Sequence, residues 1–357
     1  MARKRTVENL GVKNPMTPDF QPSTRYSQFT DHKSHSFWLD RPVFVTGCAG
    51  LLGSWLTIAL VEAGATVVGL IRDEVPFSHL HRSGYQDRIA VVRGDVICYE
   101  LIERALNEYE IDTIFHLAAQ TIVPIANRAP LSTFESNIKG TWTVLEAARR
   151  SPKVTRVAVA STDKAYGVHE KQPYTEDAPL LGCYPYDVSK ACADLIARAY
   201  AATYDLPVAV TRCANLYGGG DLNWSRIVPG TMRSVIRGKP PIVRSDGTPV
   251  HDYLYVQDAV HAYLTLAEHL DSPGVRGEAF NFSTDNPKSV LEMVRTIIGV
   301  SDHLELEPVV LANAPHEIHA QHLDSSKARR VLGWVPRYSF EKGLRETLEW
   351  YREFLNQ

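Results

Sequence analysis

A chain of 357 residues, 44% hydrophobic and 22% charged, is long enough for one large domain, or for two lobes sharing a cleft. Such a core needs neither disulfides nor a structural metal. The formal charge of −3 excludes a global basic field for nucleic acid, and no apolar run reaches the ~18–20 residues of a membrane span.

The basic start Met1-Ala-Arg-Lys-Arg-Thr6 reads as a free polar tail, without the apolar middle of a secretory signal. Cys48, Cys98, Cys183, Cys192 and Cys213 are odd in number and lack CxxC spacing. That argues against a disulfide framework or a zinc site and fits a reducing cytosol, so a cytoplasmic location is expected. Residues 1–36 are polar and carry Pro15, Pro18 and Pro22, the composition of a flexible extension.

From Phe37-Trp38-Leu39 onward, strands and helices alternate. Short apolar runs predict strands over 43–46, 66–71, 89–93, 113–117, 154–161 and 207–211. Helical patterning fills 54–63, 100–108, 131–150 and 188–204, with Gly64 as a helix stop. These repeated units predict an α/β fold, a doubly wound parallel sheet of Rossmann type with helices on both faces. After about Asn215 the pattern loosens around Pro229, Pro240, Pro241 and Pro249. The expected division is an extension (1–36), a dinucleotide-binding domain (37–214, with later returning segments) and a smaller, mainly substrate-binding C-terminal lobe (215–357).

Thr46-Gly-Cys-Ala-Gly-Leu-Leu-Gly53 joins the first strand to its helix. Gly47 permits the tight turn, Gly50 a close approach to a pyrophosphate, and Gly53 close helix packing. The N–H groups around Leu51 and Leu52 then face the phosphates. At the end of strand two, Arg72 and Asp73 stand side by side, so the signal is split between a 2′-phosphate and a free ribose hydroxyl. Asp95, followed by Val96, either accepts from an adenine amino group or caps a helix. His116-Leu-Ala-Ala-Gln120 ends strand four with small residues, Ala118 and Ala119, that let backbone pass close to a cofactor. His116 itself reads as a packed strand residue.

Tyr186-Asp-Val-Ser-Lys190 puts tyrosine and lysine on one helical face if Tyr186 opens the helix. A nearby ammonium and a positive nicotinamide ring are expected to pull the phenol down from its usual ~10, so that Tyr186 takes a proton as hydride leaves the same carbon. Strand five ends in Ser161-Thr-Asp-Lys164, which places Thr162, Asp163 and Lys164 at the ligand crevice of an open parallel sheet.

These residues resemble the extended short-chain dehydrogenase/reductases, particularly the NDP-sugar 4,6-dehydratases. The glycine loop, His116 to Gln120, Asn137-Ile-Lys-Gly-Thr141, the Tyr186/Lys190 pair and Arg212-Cys-Ala-Asn-Leu-Tyr-Gly218 all fit, as do Leu323-Asp-Ser-Ser-Lys-Ala328 and Leu332-Gly-Trp-Val-Pro336. The likeness covers about residues 37–355 and is nearest to CDP-glucose 4,6-dehydratase, through Gly53-Ser-Trp-Leu56, Gly218-Gly-Gly-Asp221 and above all Asp163-Lys164. It implies transient oxidation at C4, loss of water across C5 and C6, and hydride return to C6. Asp163 would protonate the leaving hydroxyl, and Lys164 would serve as base or as stabiliser of the enolate, since a lysine is ordinarily protonated. A cofactor regenerated in place suits tightly held NAD, with NADP the alternative, and Leu117, Asn137 and Lys190 are expected beside it. Gln120, Asn215, Arg226, Arg244 and His251 are expected to hold a nucleotide-sugar, although His251 stands where the superfamily often has a diphosphate-binding arginine. The resemblance also implies a homodimer. The rival readings are an NDP-sugar 4-epimerase, which would spare Asp163 and Lys164, and a non-catalytic sugar-nucleotide or dinucleotide sensor.

Overall fold

The computed structural model describes residues 36–313 and 319–356, so the expected extension lies almost wholly outside the described residues. Seven strands form one sheet: β1 (Pro42–Thr46), β2 (Thr66–Ile71), β3 (Ala90–Arg93), β4 (Thr113–His116), β5 (Arg156–Thr162), β6 (Val208–Cys213) and β7 (Ala279–Phe282). Their order is β7-β6-β5-β4-β1-β2-β3 and every pairing is parallel. The doubly wound α/β expectation is borne out.

Period-two alternation along each strand feeds two cores. Val43 and Val45 of β1 pack on one face with α1 (Leu51–Glu62), while Phe44 points to the other. That second face is covered by α2 (Tyr99–Glu108), α3 (Gly140–Arg150) and α4 (Pro185–Tyr204), through Ile102, Leu145 and Ala197. Among the described residues, no helix is long and apolar enough to cross a membrane.

Several boundaries move for local reasons. The first helix starts at Leu51 rather than 54, because Gly50 caps it in extended backbone. Helix α4 starts at Pro185, where a missing N–H costs nothing. The single helix expected over 131–150 is instead Pro130–Phe134, a π turn over Glu135–Lys139, and then α3. At the π turn the Asn137 side chain bonds across to the Gln120 backbone, and the Thr141 hydroxyl donates to the Asn137 carbonyl at 2.6 Å. The chain beyond 214 returns to the sheet as β7 and packs α6 (Val256–Glu268, following α5 at Ile227–Ile236) against the α1 face. It also supplies short strand pairs, Asn215–Tyr217 with Tyr253–Tyr255 and Val250–His251 with Ala320–Gln321.

One ion pair ties these layers together beside the sheet's carboxyl edge. Arg212 of β6 donates to both carboxylate oxygens of Asp194 on α4, at 2.8 and 2.9 Å, with both residues fully buried. Its Nη1 group reaches the Tyr166 hydroxyl and the Glu176 carbonyl, and Tyr166 in turn donates to Asn281 of β7. Removing one partner leaves an uncompensated buried charge. Asp194→Asn is therefore expected to lower the unfolding free energy by about 3–5 kcal/mol. Urea denaturation would register this as a lower midpoint at unchanged slope.

Candidate active site

The carboxyl ends of the strands open into one cleft of about 1420 Å³. That exceeds the roughly 300–1,000 Å³ of an ordinary ligand pocket and leaves room for two extended ligands. Every residue expected from the sequence to touch cofactor, substrate or the reacting atoms lines this cleft, except Asn137 and Asp163.

The glycine loop lies at the switch point of the sheet, between the ends of β1 and β4. Gly47 has φ +73°, and a Cβ there would stand 2.8 Å from the Ala118 nitrogen. A Cβ on Gly53 would come within 2.1 Å of the Gly47 carbonyl, so the loop closes only on glycine. Helix α1 begins with no capping side chain and no acid in its first turn, which leaves its N–H groups and positive end to an incoming phosphate. These features fit a dinucleotide. Arg72 donates through Nε to Asp73 at 2.7 Å and lies 3.7 Å from Asp95, so two carboxylates already share its charge. Asp95 does not cap α2, whose cap is Cys98; it accepts from the Ile97 N–H instead.

Behind this wall runs a hydrogen-bond chain. Thr46 Oγ1 accepts from the Leu117 and Ala118 N–H groups and so gives its own proton to His116 Nδ1 at 2.9 Å. His116 must then carry its proton on Nε2, which donates to Thr141 at 3.0 Å. Burial pushes this imidazole down to about 3, so it stays neutral. Asn137 grips the Gln120 backbone at N–H and C=O, and donates to Ser189, whose hydroxyl donates to the Tyr186 carbonyl. Asn137 thus braces the cleft wall from behind rather than lining it.

Across the cleft, Thr162, Lys164, Tyr186 and Lys190 meet. Thr162 lies beside the Tyr186 phenol and donates to Asp163 Oδ1 at 2.9 Å. Asp163 lies behind Thr162, 1% exposed, with Oδ2 buried and unpartnered. Burial pushes Tyr186 up to about 12, while burial pushes Lys190 down to about 8 and its Nζ donates to the Ala160 carbonyl at 2.7 Å. Burial also raises the Asp187 carboxyl to about 6, against the pull of Lys164.

On the far side, Arg226 is already paired with Asp221 at 3.0 Å. Burial and the Lys164 charge push His251 down to about 4, so it offers hydrogen bonds but no charge. Arg244 is exposed on the cleft, and Asn215 lies just beyond the end of β6. Sequence reasoning missed Gln321, fully buried, which bonds both the Asp163 carbonyl and Lys164. Its closeness to the Leu323-Asp324 motif was the one available signal.

Sheet, glycine cradle and tyrosine–lysine pair together define the extended class of short-chain dehydrogenase/reductases. Residues 44–347 match the family model described as GDP-mannose 4,6 dehydratase, and the chain belongs to that family. It is 30% identical over 337 residues to the CDP-glucose 4,6-dehydratase of Salmonella typhimurium, covering 90% of this chain and 93% of that one. Among solved structures, the dTDP-glucose 4,6-dehydratase of Bacillus anthracis in complex with NAD is 30% identical. It aligns with a TM-score of 0.75 over 88% of this chain and 97% of that one. The UDP-glucose 4-epimerase of Thermotoga maritima with UDP-glucose is 28% identical, with a TM-score of 0.80 over 88% and 99%.

The Arg72 contacts yield a prediction about cofactor choice. A 2′-phosphate entering there meets two carboxylates along with one guanidinium. Asp73→Asn removes one carboxylate and frees Nε, so the ratio of NADP to NAD affinity should rise about tenfold, the worth of one charge-assisted hydrogen bond. Calorimetric titration of each dinucleotide checks it, and an unchanged ratio would show that Arg72 does not face the ribose.

Proposed function

We propose that this protein is an NDP-hexose 4,6-dehydratase that works with NAD and favours CDP-glucose. One observation carries the reading: Thr162, Lys164 and Lys190 share a cleft with Tyr186, and Asp163 sits one hydrogen bond behind. A 4-epimerase needs the tyrosine–lysine pair alone. Expelling a hydroxyl needs an acid as well.

Held by the glycine loop, NAD would supply the hydride acceptor for C4 and the hydride donor for C6. Tyr186 takes the O4 proton. The C4 ketone acidifies C5–H, and Lys164 on the cleft wall assists its removal as base or as electrostatic stabiliser. Asp163 protonates the departing C6 hydroxyl.

Thr162 couples these events because it has one proton to give. While it donates to Asp163, it can only accept from a neutral Tyr186 phenol. A phenolate demands that same proton, and meeting the demand releases Asp163. Since Oδ2 is covered, Asp163 must rotate to reach a sugar hydroxyl, and the loss of its bond to Thr162 is what permits the turn.

We assign the substrate diphosphate to Arg244 and Arg226, with neutral His251 and Asn215 as hydrogen-bonding groups and Gln120 beside the sugar. CDP-glucose is favoured on the Gly53–Leu56 and Gly218–Asp221 segments, which meet where Trp55 Nε1 donates to the Gly219 carbonyl at 2.8 Å. Exposed Leu131, Trp142 and Leu195, on the 130–150 segment and α4, support a homodimer through these helices.

Incubation with CDP-, dTDP-, GDP- and UDP-glucose, followed by mass spectrometry, tests the reading. Loss of one water is expected, fastest from CDP-glucose. Asp163→Asn should slow that loss by about 10²–10⁴-fold, the usual worth of a general acid, without weakening dinucleotide binding. Isomerisation without loss of water would instead establish the epimerase.

A further inference from the structure

The short strand Ala320–Gln321 runs parallel to Val250–His251, with Gln321 in register with His251. This pairing brings a fully buried glutamine against the turn that follows β5. Its Nε2 donates to the Asp163 backbone carbonyl at 2.9 Å, and its Oε1 accepts from Lys164 Nζ at 3.4 Å. The amide can face only one way, because a carbonyl only accepts and an ammonium only donates.

The titratable groups around Lys164 are its neighbour Asp163, Asp187 on α4, and His251 on the facing strand. Asp163 Oδ2 has no hydrogen-bond partner. Gln321 offers Lys164 Nζ a neutral acceptor, while its other end fixes the backbone from which the Asp163 and Lys164 side chains project.

We propose that Gln321 is a positioning residue for the elimination step, holding Lys164 Nζ on the cleft wall while it fixes the backbone at Asp163. The proposal rests on the 4,6-dehydratase reading. Gln321 does not touch the cleft side of Tyr186 or Lys190, so it should govern loss of water and not oxidation at C4.

The test uses the full chain with the nucleotide-hexose that wild type dehydrates. Gln321→Met removes both hydrogen bonds at similar volume, and Gln321→Glu keeps an acceptor for the ammonium. For Gln321→Met, product formation should slow about 10²-fold, the cost of a small misplacement of a catalytic group. KM and the first hydride transfer, read from reduced-nicotinamide absorbance in a single turnover, should hold, so reduced cofactor accumulates. Gln321→Glu should recover part of the rate. The glutamate variant is close to isosteric and carries the test if the methionine variant fails to fold. Unchanged elimination, or equal slowing of both steps, would overturn the proposal. A wild-type protein that only epimerises overturns the dehydratase reading and this proposal together. A dehydratase indifferent to residue 321 overturns the proposal alone.

Discussion

The Arg212–Asp194 ion pair fixes the distance between the two parts of the chain that bring Tyr186, Lys190 and Lys164 to the cleft. Asp194 lies four residues beyond Lys190 and eight beyond Tyr186, so the three occupy one stripe of α4 facing the sheet. Arg212 holds that stripe to β6, and through Tyr166 it holds the turn bearing Asp163 and Lys164. Buried ion pairs are poor sources of net stability, since desolvation offsets much of the attraction. Here every N–H that the guanidinium directs at its neighbours finds an acceptor on a different element, and position is what the arrangement secures. The helix cannot slide along the sheet without leaving a full charge unpaired in a dry interior.

The parts of the fold legible in the sequence were those set by local pattern. Buried strands such as Thr66–Ile71 read as unbroken apolar runs, and the glycine loop announced its turn because only glycine closes it. The place of Thr162 and Lys164 on the cleft was legible through resemblance joined to their position at a strand's carboxyl end. What escaped depends on partners far along the chain. The π turn over Glu135–Lys139 accompanies contacts that Asn137 makes 17 and 52 residues away, and the apolar pattern runs through it without a break. Gln321 acts on a residue 158 positions earlier, and no periodicity encodes that. The i+4 spacing placed Tyr186 and Lys190 on one buried face but carried no information on how deeply each is buried.

Depth of burial changes how the pair must work. Desolvation penalises whichever form of a group is charged, so it pushes the Tyr186 phenol up to about 12 and the Lys190 ammonium down to about 8. Both shifts favour the neutral pair, and the protein by itself therefore keeps Tyr186 protonated and unreactive at neutral pH. Lys190 spends a donor on the Ala160 carbonyl, and Thr162 donates to Asp163 rather than to a phenolate. In the reaction proposed above, positive charge entering the cleft would add to the downward pull that Arg226 already exerts on the phenol. The Thr162 proton would then pass to the phenolate and free Asp163 from the bond that holds it under cover, so that deprotonation at C4 would precede loss of water at C6.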